Sequence, residues 1–174
     1  VIALRAGTIA NRFEEGALDV AAQTIGEVKT HIGGAYINVT GVDAQTVTID
    51  SLTSSADKAD VVLNVLNGNL SIDTVTSGDD LTIKVAGTDG ETSMLLGQTR
   101  AAGDLNLTTQ SGDIAQKSGT DVQADTTGAL TTLSAGGDIV LNNATNDLSN
   151  LTVTAGQDVT VTDRDGLNLF DVKT

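Results

Sequence analysis

The stretch that decides the fold spans residues 135–169 and reads "AGGDIVLNNATNDLSNLTVTAGQDVTVTDRDGLNL". Four short runs in it place an apolar residue at every second position, at 139–141, 151–153, 159–161 and 167–169, and in the last three the residue between is polar. Such alternation places every second side chain on the same face of a β-strand. Mostly glycine, aspartate, asparagine, serine and threonine separate the runs, and these residues favour turns. The stretch therefore predicts very short strands, each followed at once by a turn.

The same unit recurs along the chain. It consists of a small residue, which is often glycine, then usually an aspartate or asparagine, and then an apolar–x–apolar run. Successive units begin roughly 8 to 14 residues apart, a spacing that fits many short strands joined by tight turns. Valine, leucine and isoleucine occupy one face of each strand, while threonine, asparagine and serine occupy the other. The units with a leading glycine begin at Gly16, Gly68, Gly78, Gly103, Gly112, Gly128, Gly136 and Gly156. Runs without it include 36–39, 46–49, 60–65 and 151–153.

Two architectures accommodate this pattern. An antiparallel sandwich would use Asn-Gly hairpin turns and large aromatic core residues, but the chain has one such turn, at Asn67, and only three aromatic residues. In a parallel β-helix the chain coils, and each strand pairs with its equivalent one coil later around a narrow aliphatic interior. We therefore predict an all-β, parallel β-helix (β-solenoid) of about six to eight coils over residues 1–174. The spacing of Gly103 and Gly137 indicates a repeating unit of about 34 residues.

The alternation also predicts which side chains face the interior. In the second half of the chain the inward set is Leu105, Leu107, Ile114, Leu130, Leu133, Ile139, Leu141, Leu151, Val153, Val159, Val161, Leu167 and Leu169.

Composition narrows the possible partners. The net charge of −14 disfavours direct binding to nucleic acid or to anionic lipid. Cysteine is absent, which excludes disulfides and cysteine zinc sites, and proline is absent too, as expected where nearly every strand is paired. No apolar run is long enough for a membrane helix. Because the chain begins "VIALRAG" without methionine, we interpret it as a fragment of a longer repetitive chain.

About half of the chain resembles a known family. The segments are "GDLNLTTQSGDIAQ" at 103–116 and "GALTTLSAGGDIVLNNATNDLSNLTVTAGQDVTVTDRDGLNL" at 128–169. They are similar to the repeat region of filamentous haemagglutinin-like large exoproteins, which are bacterial adhesins exported by two-partner secretion. The resemblance implies a right-handed parallel β-helix and an extracellular or cell-surface location. Related repeats also form the stalks of contact-dependent toxins.

Two functions follow as expectations. The first is a structural rod segment that stacks on adjoining repeats of the same chain and presents a binding tip away from the cell. The alternative is a binding module that recognises a cell-surface receptor, glycan or matrix component through loops. The segments 87–103, a possible loop insertion, and 26–34 break the repeat and are the candidate loops. We expect no nucleic-acid binding and no membrane insertion.

No catalytic, cofactor-binding or metal-binding residue is predicted. His31 is the only histidine, and no serine or cysteine nucleophile motif accompanies it. Asp163 and Asp165 precede Gly166 like the start of a calcium loop, but the later ligands of such a loop are missing.

The aspartates Asp79, Asp80 and Asp89 are interpreted as turn formers in the same way. A polysaccharide-cleaving enzyme would cluster carboxylates with basic residues and bind sugars with aromatics. Here nine basic residues are scattered and tryptophan is absent, so the chain is predicted not to be an enzyme.

Two repeated patterns remain. Thr-x-Thr pairs occur at 46–48, 152–154 and 160–162. The last two pairs lie too close in sequence to stack on each other, which disfavours an ice-binding face. Asn-x-Ser/Thr glycosylation sequences arise at Asn38, Asn69, Asn106, Asn143 and Asn150.

Overall fold

The chain is a parallel β-solenoid of about seven turns. The structure is a computed structural model that describes residues 2–6, 9, 16–41, 45–87 and 92–174. Within these ranges every regular element is a strand, and no helix is present that is long and apolar enough to cross a membrane. The predicted parallel, all-β architecture is therefore confirmed.

The described residues form seventeen strands in two parallel sheets. Sheet 1 contains β1 (Ile2–Ala6), β3 (Thr24–Thr30), β5 (Val47–Ser54), β7 (Leu70–Ser77), β9 (Thr92–Ala101), β11 (Asp113–Gln116), β12 (Val122–Ala124), β14 (Ile139–Leu141) and β16 (Val159–Val161). Sheet 2 contains β2 (Leu18–Ala21), β4 (Ala35–Thr40), β6 (Val61–Asn67), β8 (Leu81–Val85), β10 (Leu105–Thr109), β13 (Leu130–Ala135), β15 (Asn150–Ala155) and β17 (Asn168–Lys173). The chain alternates between the sheets, so each coil adds one layer to both.

Strand pairing gives the length of a coil. The shortest register joins Asn150 to Asn168, and the longest joins Thr40 to Asn67. A coil therefore takes roughly 18 to 27 residues, within the usual span of one structural repeat in a solenoid. The longer unit predicted from the spacing of Gly103 and Gly137 is wrong. Gly103 precedes a strand of sheet 2 whereas Gly137 precedes a strand of sheet 1, so the two glycines occupy different corners.

The long strands of sheet 1 bend in the middle. In β5, Ile49 and Leu52 are buried while Asp50 and Ser51 between them are not, so the alternation slips by one position. The same slip occurs in β7. Two successive outward residues turn the chain without breaking the ladder, and each coil therefore has three flat sides. In the next coil β9 is still one continuous strand, and one coil after β9 the bend opens, so that β11 and β12 pair separately with the two halves of β9.

Stacked aliphatic side chains fill the interior. A representative column runs through Ile37, Leu63, Ile83, Leu107, Leu133 and Val153, each paired with the next and each buried. Each side chain thus packs mainly on its equivalents in the coils before and after it. The free energy of unfolding of such a stack is close to a sum of one term for each coil and one for each contact between neighbouring coils.

Most of the predicted inward residues are buried. The prediction is confirmed for Leu105, Leu107, Ile114, Leu133, Ile139, Leu141, Leu151 and Val153, while Val159, Val161 and Leu167 are partly buried against the core.

Two of the inward assignments are wrong. Leu130 is 37% exposed, because Leu105 and Leu151 pair with Thr131 and turn that residue inward instead. Leu169 is 62% exposed: it pairs with Leu151 in the last described coil, and the described residues place no further strand beyond β17.

The candidate loops are largely strands. Residues 92–101 of the expected insertion form β9, with Met94 and Leu96 fully buried, whereas residues 88–91 lie outside the described part. Within 26–34, residues up to Thr30 belong to β3, and only 31–33 form a bend. Strand formation follows from the aliphatic columns, because Met94 continues the column of Val47 and Leu70.

Candidate functional site

The recurring aspartates fasten one coil to the next. At the corner that enters sheet 2, Asp80 Oδ1 accepts the backbone N–H of Asp104 at 2.8 Å, and Asp104 Oδ1 accepts that of Leu130 at 2.8 Å. At the corner that enters sheet 1, Asp113 Oδ1 accepts the N–H of Asp138 at 2.8 Å, and Asp138 Oδ1 accepts that of Asp158 at 2.9 Å. We call these two series the aspartate ladders. They satisfy backbone donors that a turn would otherwise leave without partners.

The ladders explain why glycine precedes these aspartates. A Cβ added at Gly137 would overlap Asp113 Oδ1, and one added at Gly103 would lie 2.5 Å from Asp80 Oδ1. The carboxylate of one coil therefore occupies the space that a side chain would take in the next. The Gly-Asp repeat is a structural signature of corners, and Asp80 lies at such a corner but bonds the backbone of the next coil rather than that of its own turn.

Asp79 lies beside the first ladder in an acidic environment. Burial, and then the neighbouring carboxylates of Asp80 and Asp60, raise the pKa of Asp79 above its ordinary value, while Lys58 opposes the shift. The charged form of Asp79 is therefore less favourable in the folded chain than in the unfolded one. Asp89, the third predicted turn former of this group, lies outside the described residues.

Asp163 acts as a turn former. Its Oδ1 accepts the backbone N–H of Gly166 at 2.9 Å and of Asp165 at 3.2 Å, and its Oδ2 accepts the N–H of Leu148 at 2.7 Å. Asp165 lies 3.5 Å from the guanidinium of Arg164. Both oxygens of Asp163 are thus engaged by the backbone. In the described part of the chain, no group of three or more histidine, cysteine, aspartate or glutamate side chains is placed to hold a metal ion.

A buried amide network closes the open corner between β11 and β12. Asn146 is fully buried, and its Oδ1 accepts the N–H of Val122 at 2.9 Å and the amide of Gln116 at 2.7 Å. Its Nδ2 donates to the carbonyls of Leu141 at 3.2 Å and Thr162 at 3.1 Å. One side chain therefore joins three successive coils. Sequence reasoning missed this role, although "LNNATND" carries its signal in three asparagines within a turn.

The glycosylation sequences lie in unequal environments. Asn69 is buried, and Asn143 Nδ2 donates to the carbonyls of Lys117 and Thr120 at 2.8 Å each. Asn38 Nδ2 donates to Asp19 at 2.8 Å, and Asn150 Nδ2 donates to the carbonyl of Ala129 at 3.2 Å. Asn106 is outward and partly exposed in the middle of sheet 2.

His31 is exposed in the bend after β3. The Thr-x-Thr pair at 152–154 is in sheet 2 and the pair at 160–162 begins in sheet 1, so they do not stack, as expected. Sequence reasoning did not anticipate that Thr152 would align instead with Thr132 on the outer face of sheet 2.

The outer face of sheet 2 also carries a concave surface of about 590 Å³, which we call the axial groove. It crosses β6, β8, β10 and β13, and so it runs parallel to the solenoid axis. One outward row, Asn64, Lys84, Thr108 and Ser134, follows the strand register. A second row, Leu66, Ala86, Gln110 and Gly136, lies two positions later, where Ala86, Gln110 and Gly136 come just after the ends of their strands. The coil length had to be known before these residues could be aligned, so the sequence alone did not reveal the groove.

Comparison with known proteins gives one match. A family model described as "Repeats of unknown function (DUF5649)" matches residues 78–155, slightly under half of the chain. No curated protein and no solved structure matches. The matched segment contains the first aspartate ladder, the part of the second ladder from Asp113 to Asp138, and Asn146.

Proposed function

We propose that the chain is a structural rod segment of a large secreted or cell-surface bacterial adhesin. In this role it acts as a spacer, continuous with adjoining repeats, that holds a binding region away from the cell. The observation that carries the proposal is the uninterrupted stacking of equivalent residues through both sheets, from β2 to β17 and from β1 to β16. The resemblance of residues 103–169 to adhesin repeats supports the extracellular setting.

A rod is modular, and its modularity can be tested by removing one coil. Deletion of residues 70–93 joins Asn69 to Met94, which occupies the position of Leu70 one coil later. We expect a folded, β-rich protein that is shorter by one strand spacing, about 4.8 Å. Circular dichroism and small-angle scattering would measure both properties.

Deletion of residues 70–92 is the matched control. It removes one residue fewer and so places Ser93, rather than Met94, after Asn69. A shift of one position exchanges the inward and outward faces of a strand, and we expect this variant to fold poorly. An unfolded 70–93 variant would refute the spacer proposal. Antibody labelling of intact cells of the source organism would test the surface location, and labelling only after lysis would contradict it.

A second candidate function is a binding module for a receptor, glycan or matrix component. The described parts of segments 87–103 and 26–34 are mostly strands, so they offer little loop surface. The axial groove favours this function instead, because it is a concave surface with convergent polar groups.

A further inference from the structure

We infer that the axial groove binds a linear polysaccharide that carries carboxylates at intervals, with the glycan chain lying along the solenoid axis. The inference rests on the second candidate function above and gives it a site and a ligand class.

The geometry of the groove favours a polymer with a matching repeat. Each coil adds one residue to each row of the lining, so equivalent groups recur at the strand spacing of about 4.8 Å. Four coils give a length of about 14 Å. One sugar unit of an extended glycan advances by roughly one strand spacing, about 5 Å. An extended peptide advances by about 3.3 Å per residue and falls out of step with the coils.

The lining has the chemistry of hydroxyl recognition. Asn64 and Gln110 supply amides that donate and accept, and Thr108 and Ser134 supply hydroxyls that do both. Sugar hydroxyls also donate and accept, so they can be satisfied at successive positions along the row. Ala86 adds a small apolar surface on which a sugar ring can pack.

Lys84 supplies the charge. It is exposed on β8, between Asn64 of the previous coil and Thr108 of the next, and no carboxylate of the described residues lies within ion-pair distance. By contrast, Arg100, Lys117 and Arg164 each contact an aspartate. A free ammonium group among neutral hydrogen-bonding groups matches a single carboxylate on the ligand.

The net charge of the protein limits how many carboxylates its glycan ligand can carry. With a net charge of −14 the protein repels a polymer that carries an acidic group on every unit. A glycan with neutral units between its acidic ones places a carboxylate at Lys84 and leaves hydroxyls for the remaining positions.

The test is a glycan array probed with the intact, folded chain, followed by titration calorimetry on the glycans that bind. The array includes linear neutral glycans, linear glycans with spaced uronic acids, fully uronic polymers and extended peptides. We expect the spaced acidic glycans to bind best. Lys84→Ala weakens their binding at least about tenfold, because it removes a charge-assisted hydrogen bond, and Gln110→Ala weakens it less.

Lys58→Asn is the matched control. Lys58 is also an exposed lysine, at the corner between β5 and β6, and its φ of 57° is a conformation that asparagine tolerates. Its replacement removes the same charge outside the groove, so binding should be unchanged. Far-UV circular dichroism confirms that each variant is folded.

Three results would overturn the inference: no glycan binding, preferential binding of peptides or fully uronic polymers, or equal effects of the two lysine variants. Because the array uses the intact chain, these results are independent of the coil deletion. If the coil deletion folds but the intact chain binds no glycan on the array, the protein is a rod without this binding site.

Discussion

Replacement of Asn146 by alanine tests how far the coils depend on a single buried side chain. The change leaves the N–H of Val122 without its acceptor and removes the amide donor from the carbonyl of Thr162. The carbonyl of Leu141 loses one of its two donors and keeps the N–H of Thr162. A buried unsatisfied N–H costs about 1–3 kcal/mol, and each neutral hydrogen bond lost adds about 0.5–1.5 kcal/mol. Gln116 keeps two bonds, since it donates to the carbonyl of Thr120 and accepts the N–H of Asn143. We expect a loss of about 3–4 kcal/mol in the free energy of unfolding.

The assay is urea denaturation followed by far-UV circular dichroism, with the slope m compared between proteins to confirm that the same surface unfolds. Asn142→Ala is the control, because Asn142 lies in the same turn sequence but is exposed. Its cost should stay within about 0.5 kcal/mol. If both substitutions cost the same, or if Asn146→Ala costs less than about 1 kcal/mol, the network does not hold the coils together and the reasoning fails.

Three further predictions address the core, a corner and the acidic cluster. Ile139→Asp should destabilise by several kcal/mol in a denaturant melt, because it buries an unpaired charge, whereas Thr152→Asp on the outer face should cost far less; equal losses would contradict the assigned faces. Gly137→Ala should lower the melting temperature, because the new Cβ overlaps Asp113 Oδ1; an unchanged melting temperature would mean that the ladder carboxylate moves freely. Because the folded-state pKa of Asp79 is raised, the folded chain loses stability as the pH rises from the unfolded value through the folded one. Asp79→Asn should therefore raise the melting temperature at pH 7 and lose that advantage at pH 3. The same difference in melting temperature at both pH values would mean that the pKa of Asp79 is not raised.

The alternation of apolar residues was sufficient to predict the architecture. Ile139 and Leu141 are inward because their strand is regular and short. The prediction failed at Leu130 because Leu130 and Leu133 are three positions apart, and a regular strand cannot turn both inward. Pairing with the neighbouring coils decided between them, and Thr131 was buried although its hydroxyl finds no partner among the described residues.

The strand β9 lies within the segment 87–103, which the sequence indicated only as a possible loop insertion. Gly97 interrupts the apolar run there, but it lies at the bend of a strand, where the backbone of Asp73 comes too close for a side chain. Its neighbours Met94 and Leu96 are buried through pairing with Leu70 and Ile72 of β7, one whole coil earlier in the chain. The groove and the Asn146 network likewise depend on such distant neighbours, which a local pattern does not contain.

The opening of the bend into two strands, β11 and β12, has a mechanical consequence. The hydrogen bonds between coils point along the solenoid axis, so tension between the two ends would act along these bonds and break them one coil at a time. Coils would then detach in turn, and each would release about 60–90 Å of extended chain. The corner that Asn146 closes has fewer ladder bonds than an unbroken strand and relies on side-chain amides. A pulled molecule should therefore lengthen in steps, with the coil at residues 113–124 among the early ones to give way, and so dissipate a sudden load gradually.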